Sequence, residues 1–201
     1  IVGLLKDGEL IDKASEGMDI EVVLDKTPFY GEMGGQVSDT GVVKSSDGEL
    51  RVAYVYHAGS LIVHKGMVTH GTIVSGDTVY AEVDRPRRLS IMRNHTATHL
   101  LHRALRMVLG DHVVQAGSSV DPERLRFDFT HPYALTPGEI QEVEKIVNRA
   151  ILADLEVVTN ETTLQEAKES GAMALFGEKY SGIVRVVKAG NFSMELCGGT
   201  H

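Results

Sequence analysis

The hydrophobic pattern changes period once, at Asp84-Arg85-Pro86, and that change sets the fold class. Before it, apolar residues fall in short alternating runs. Leu50-Arg51-Val52-Ala53-Tyr54-Val55-Tyr56 alternates best, and residues 20–24, 61–64 and 78–83 continue the pattern. Turn signals separate them: Ser46-Asp47-Gly48, Ala58-Gly59-Ser60, His70-Gly71 and Ser75-Gly76-Asp77. Strands at such regular spacing predict a small all-β barrel. After the change, Asp84 reads as an N-cap and Pro86 as an early-helix proline. Leu89, Met92, Leu100, Leu101, Ala104, Leu105 and Val108 then recur at helical spacing up to Gly110, a C′ residue. Two strands follow, around 112–120 and 124–130. Thr136-Pro137-Gly138-Glu139 opens a second helix with capping-box spacing, its apolar face made of Ile140, Val143, Val147, Ala150 and Ile151. A strand near 155–160, a short helix opened by Thr163-Leu164-Gln165-Glu166, a strong strand over 182–187 and a weaker one over 193–196 complete the chain. This back half lacks strict βαβ alternation, so the class is α+β. The expected organisation is a β-barrel subdomain over 1–88, then an α+β core over 89–201 with a mainly antiparallel sheet and packed helices.

A chain of 201 residues, 42% hydrophobic and 24% charged, can bury a real core and is not a disordered polymer. Its single cysteine excludes an internal disulfide framework and fits a reduced, cytoplasmic setting. No uncharged apolar run approaches the ~18 residues of a membrane span. The start, Ile1-Val2-Gly3-Leu4-Leu5-Lys6-Asp7, is too short and too soon acidic for a signal peptide. With no initiator Met and an abrupt end at His201, the chain reads as a fragment of something longer. The net charge is −8, yet residues 85–110 hold six arginines and no acid. That patch is either an anion-binding surface or a solvated helix face, and charge alone weighs the two evenly.

The chemistry concentrates in two short stretches. His95-Thr96-Ala97-Thr98-His99 places two imidazoles at i and i+4, on one face of the helix. Cys197-Gly198-Gly199-Thr200-His201 pairs the chain's only cysteine with a histidine four residues on, across two glycines that permit a tight fold. Histidine and cysteine together are a zinc ligand set, not one for magnesium or calcium. Each pair alone is more often packing or surface; the conjunction carries the signal. The other six histidines, His57, His64, His70, His102, His112 and His131, have no such partner and read as ordinary. There is no His-Glu-x-x-His, no Gly-x-Ser-x-Gly elbow, no phosphate-binding Gly-x-x-x-x-Gly-Lys and no Gly-x-Gly-x-x-Gly. Metalloprotease, serine-nucleophile, nucleoside-triphosphate and dinucleotide readings lose their usual support.

Arg93-Asn94-His95-Thr96-Ala97-Thr98-His99-Leu100-Leu101, the strand at Gln115 and the terminal Cys197-Gly198-Gly199-Thr200-His201 resemble the editing domain of alanyl-tRNA synthetases. Thr27-Pro28-Phe29-Tyr30-Gly31-Glu32-Met33-Gly34-Gly35-Gln36 with Asp39-Thr40-Gly41 resembles the barrel segment that precedes it. Related pockets occur in freestanding alanyl-tRNA editing proteins and in one class of threonyl-tRNA synthetase editing domain. The resemblance implies a β-barrel followed by a zinc-containing editing core that hydrolyses seryl-tRNA(Ala) and also glycyl-tRNA(Ala). It implies His95, His99, Cys197 and His201 as zinc ligands, Thr98 and Gln115 as pocket residues of catalysis, and Gly34 and Gly35 as a motif linked to substrate choice. The implied partners are the tRNA(Ala) acceptor end, with Arg93 and its neighbouring arginines on the phosphates, and the rest of the synthetase chain.

An editing site answers a physical limit: a pocket for alanine discriminates only ~10–200-fold against one methylene or an added hydroxyl. Zinc in such a site activates water, polarises the ester carbonyl or anchors the amine, and sequence leaves the three open. Thr98, one residue before His99, is placed to hydrogen-bond a serine hydroxyl, and Gln115 to orient the ester or the water. Four protein ligands normally mark a closed, structural zinc site. The rival readings are a freestanding trans-editing protein, a non-catalytic tRNA-binding module with a structural zinc, and a hydrolase of a small ester that involves no RNA.

Overall fold

The computed structural model describes residues 1–173 and 182–201. They form two compact units, Ile1–Ser90 and Ile91–His201. The first unit holds strands β1 (Gly3–Lys6), β2 (Glu9–Ile11), β3 (Lys13–Ser15), β4 (Asp19–Val23), β5 (Gly41–Lys44), β6 (Gly48–Ala58), β7 (Leu61–Val74) and β8 (Tyr80–Val83). Their pairings are antiparallel, in the order β2-β1-β4-β7-β6-β5-β8, with β3 beside β7. Among the described residues β2 and β8, at the ends of this order, do not pair. The barrel expected from the strand spacing is therefore not found as a closed ladder; an open antiparallel sheet is.

The alternation of β6 buries Leu50, Val52 and Val55 at 1% exposure or less. A register shift between Val52 and Tyr54 then turns Ala53 and Tyr54 outward together. These side chains join Leu4, Ile20, Val22, Phe29, Val43, Val68 and Ile73 in one core. His70-Gly71, read as a turn, lies inside β7 instead. Gly71 sits at φ +62, and a Cβ there would lie 2.0 Å from Asp47 O, so the glycine serves a close strand crossing and not a chain reversal.

The helix α1 (Arg85–Leu109) starts where the capping argument puts it: the Asp84 carboxylate accepts Arg87 N–H at 3.1 Å. Its first turn also ties down the loop before β5. Arg88 grips both oxygens of buried Asp39, Oδ1 through Nε at 2.8 Å and Oδ2 through Nη2, and Oδ2 also accepts Tyr30 N–H at 2.7 Å. Arg87 donates to Ser38 O at 2.6 Å.

In the second unit α1 is followed by the hairpin β9 (Gln115–Val120) and β10 (Leu125–Phe129), then α2 (Pro137–Leu152), β11 (Val157–Thr163), α3 (Leu164–Glu169), β12 (Ile183–Ala189) and β13 (Ser193–Leu196). The last three strands form an antiparallel sheet in the order β11-β12-β13. Capping boxes open both short helices, Thr136 with Glu139 and Thr163 with Glu166. Ile140 and Ile151, expected on the buried face of α2, are 47% and 53% exposed. At about 100° per residue they fall to one side of the line through Val143 and Ala150, which alone are buried, and Ile146 packs on the other side. Leu100, Ala150 and Ala189 tie α1, α2 and β12 together, and Val184, Val186 and Leu196 pack under α3. The class is α+β with mainly antiparallel sheets. No described helix is long and apolar enough to cross a membrane.

Candidate metal centre

Two elements of the second unit deliver the four candidate ligands. On α1, His95 and His99 stand one turn apart, ring centroids 5.3 Å from each other, and both are buried. On the other side, the β12–β13 ladder runs one residue past Leu196, where Cys197 N–H donates to Arg185 O at 3.0 Å. The segment that follows is clamped from β12: Arg185 Nη1 donates to Cys197 O at 2.8 Å and to Gly199 O at 2.6 Å. Gly199 N–H points back at Cys197 Sγ, 3.4 Å away. The chain therefore curls around the sulfur and returns His201, whose ring centroid lies 4.3 Å from that of His95 and 4.5 Å from that of His99.

One donor atom from each of His95, His99, Cys197 and His201 lies within 4.8 Å of the others. His95 Nε2 stands 3.3 Å and His201 Nε2 3.4 Å from Cys197 Sγ. Zinc with Zn–N near 2.0–2.1 Å and Zn–S near 2.3 Å has tetrahedral edges of roughly 3.3–3.6 Å. The set thus fits such an ion in donor type and number, and the two sulfur–nitrogen distances lie close to its edges. The electrostatics agree. Burial, then the neighbouring His99 and Arg185 charges, pushes His95 down to about 3; burial, then His99, His95 and Arg185, takes His201 down to about 2. His99 is lowered too, by burial first, with Glu195 opposing. Neutral imidazole is the ligand form, so near neutral pH these rings offer lone pairs, not repelling charges.

Three residues that spacing rules do not single out complete the surroundings. Thr96 Oγ1 lies 3.1 Å from His201 Nδ1, the nitrogen turned away from the sulfur. Arg185 clamps the ligand loop. Glu195, 3% exposed, has Oε2 4.0 Å from His99 Nδ1. The only sequence signals for the last two are a charge inside an apolar strand run and an acid two residues before the cysteine.

The other candidates take up different stations. Thr98 is 4% exposed, and its hydroxyl donates to Asn94 O at 2.9 Å inside the helix. Gln115, at the start of β9, donates from Nε2 to Ser118 Oγ at 3.3 Å. Arg93 is exposed on α1, as are Arg85 and Arg103. Arg87, Arg88 and Arg106 instead serve the fold, Arg106 holding Asp111 and Val113 O. Gly34 and Gly35 belong to the first unit, in a turn where Met33 and Gln36 exchange backbone bonds of 3.3 and 3.1 Å. Both have positive φ, +60 and +84, which is a backbone reason for glycine at each.

The family model of class II tRNA synthetases (A) matches residues 1–87. Relatives extend the match over the chain. An alanine–tRNA ligase of Desulforamulus reducens is 54% identical over 202 residues, covering 100% of this chain and 23% of the relative. That of Fervidobacterium nodosum is 57% identical over 198 residues, 97% of this chain and 23% of the relative. The Bacillus subtilis ligase is 50% identical over 202 residues, again 100% and 23%. This chain is homologous to a segment of alanine–tRNA ligases, and it spans 23% of the length of these relatives.

Proposed function

We propose that the chain is the editing part of an alanine–tRNA ligase, a zinc-dependent deacylase acting on seryl-tRNA(Ala) and glycyl-tRNA(Ala). The observation that carries this reading is the convergence of His95, His99, Cys197 and His201 within 4.8 Å. Zinc bound there supplies a Lewis acid and a means of activating water near neutral pH. The rest is done by side chains. Thr98 has given its proton to Asn94 O, so its oxygen keeps lone pairs for the hydroxyl of a seryl group. Alanine offers no such donor, and a site built on that bond turns it away by leaving a buried acceptor unmatched. Gln115, its amide N–H engaged with Ser118, has its carbonyl oxygen to orient an attacking water or the ester's ammonium group. Arg93, exposed on α1 two residues before His95, meets a phosphate of the tRNA acceptor end. Gly34 and Gly35 shape a turn of the first unit, the barrel-like part in this reading, and act on substrate choice through it. Aminoacylation and the remaining tRNA contacts belong to the rest of a ligase chain, in the cytoplasm.

One feature favours a second reading. Four protein donors are the pattern of a closed, structural zinc site, so the segment can instead be a tRNA-binding module that the metal only holds in shape. A deacylation assay separates the two. Seryl-tRNA(Ala) should be hydrolysed by the zinc-loaded chain, spared after chelation, and hydrolysed again on adding zinc. Equal rates from a folded, metal-free chain exclude zinc dependence. No turnover at all, with unfolding on chelation, selects the structural reading.

A further inference from the structure

Two columns of side chains face each other in the second unit. Along α1, His95, His99 and His102 share one face by helical spacing. Along β13 and its extension, Ser193, Glu195 and Cys197 share one face by strand alternation. The columns match step by step: Cys197 Sγ meets His95 Nε2 at 3.3 Å, Glu195 Oε2 faces His99 Nδ1 at 4.0 Å, and Glu195 Oε1 faces His102 Nδ1 at 3.3 Å. Ser193 Oγ donates to Oε1 at 3.3 Å. Among the described residues no Lys or Arg nitrogen comes within 4.0 Å of this carboxylate, although it is 3% exposed. His102, 4% exposed, lies off the line a hydrogen bond requires, and both its ring nitrogens lack aligned partners among the described residues. A carboxylate so deeply buried is costly unless something uses it. Two imidazoles face it, His102 at 3.3 Å and His99 at 4.0 Å, and of the two only His99 belongs to the ligand set.

We infer that Glu195 is a positioning residue of the metal centre: its carboxylate faces Nδ1–H of His99 and so holds Nε2 of that ring toward the shared cation. The role rests on the metal-centre reading above. It matches the way His201 is held, with Nε2 toward the sulfur and Nδ1 on Thr96 Oγ1 at 3.1 Å. Each of these two ligand rings then has its tautomer and orientation set from behind, Thr96 serving one and Glu195 the other. Of the two, Glu195 is the charged partner, and it raises the donor strength of His99. His102 lies against the same carboxylate from the next turn, its Nδ1 3.3 Å from Oε1.

The test is metal affinity, measured on the 201-residue chain by competing Zn²⁺ and Co²⁺ against a chromophoric chelator. Glu195→Ala should weaken binding about 10–100-fold. Glu195→Gln keeps the volume and an acceptor oxygen but not the charge, so its loss should be smaller, about two- to tenfold. The Co²⁺ derivatives at saturation should keep their thiolate-to-metal band and show shifted ligand-field bands. Melting of the metal-free proteins should change little or rise, since a buried charge is removed. Wild-type affinity and an unshifted cobalt spectrum in Glu195→Gln overturn the assignment, and that variant decides the matter if Glu195→Ala does not fold. A variant that loses only metal-free stability overturns it too, because that is the mark of a purely structural acid. Failure of the metal-centre reading looks different: the wild-type chain itself then takes up no stoichiometric metal.

Discussion

The metal-free chain should lose stability steeply between neutral pH and about pH 5, and the size of the loss follows from the cluster. His95 is held down to about 3 and His201 to about 2, mainly by burial, against an ordinary value of 6.5. Both folded values lie below the unfolded one, so through this range the unfolded chain binds more protons and stability falls as pH falls. The contribution is complete above about 6.5 and drains at about 1.4 kcal/mol per pH unit for each ring. At about pH 5 each withholds about 2 kcal/mol, together about 4, against a total of ~5–15 kcal/mol for an ordinary domain. Most carboxylates are still ionised there, so the window isolates histidine. Urea unfolding in the presence of chelator reads it directly. With a slope of ~2 kcal/mol per molar urea, the midpoint should drop by about 2 M. Saturating zinc should flatten the profile over the upper part of the window, because coordinated nitrogens carry no proton. A His95→Gln, His201→Gln double variant should keep only the smaller fall that His64 and His99, lowered in the same direction, supply. A midpoint that stays constant from neutral pH to about pH 5 in the chelated wild type refutes the burial argument.

Two substitutions probe the neighbours of the cluster. Thr98→Val keeps the shape and deletes the hydroxyl. Seryl-tRNA(Ala) hydrolysis should fall about 10–100-fold relative to alanyl-tRNA(Ala), and unchanged selectivity in paired kinetics removes Thr98 from the pocket. Arg185→Met deletes two charge-assisted bonds to the ligand loop, of 2.8 and 2.6 Å. Water reaches part of this site, so the cost is about 1–2 kcal/mol, or roughly 5–30-fold weaker metal binding by chelator competition. Wild-type affinity in that variant means the loop is held without the clamp.

What could be read from the chain beforehand follows the range of each interaction. Thr136 with Glu139 and Thr163 with Glu166 cap their helices three residues away, and a rule of that reach sees them. The ligand pairs are legible for the same reason: each is an i, i+4 pair, although closing them joins residues 102 apart, Cys197 and His95. Strands β1, β2, β3 and β5 have three or four residues, too few for a period of two to show. The small barrel expected from strand spacing is not confirmed by any pairing of β2 with β8 among the described residues, because spacing carries no information on whether the end strands pair. Among the histidines read as ordinary, His64 is a satisfied core residue, between Thr27 Oγ1 at 2.7 Å and Val22 O at 3.0 Å. His102 is not: its neighbour Glu195 comes from the far end of the chain, and His112 meets His131 at 2.9 Å with no spacing to announce it. Thr96, Arg185 and Glu195 escape motif reading because tertiary contact alone defines their parts.

X-ray absorption at the zinc edge, combined with metal analysis of the purified chain, tests the centre itself most directly. One zinc per chain is expected, with three nitrogens at about 2.0–2.1 Å and one sulfur at about 2.3 Å. A shell of oxygens without sulfur, or no bound metal at all, contradicts the centre built here from His95, His99, Cys197 and His201.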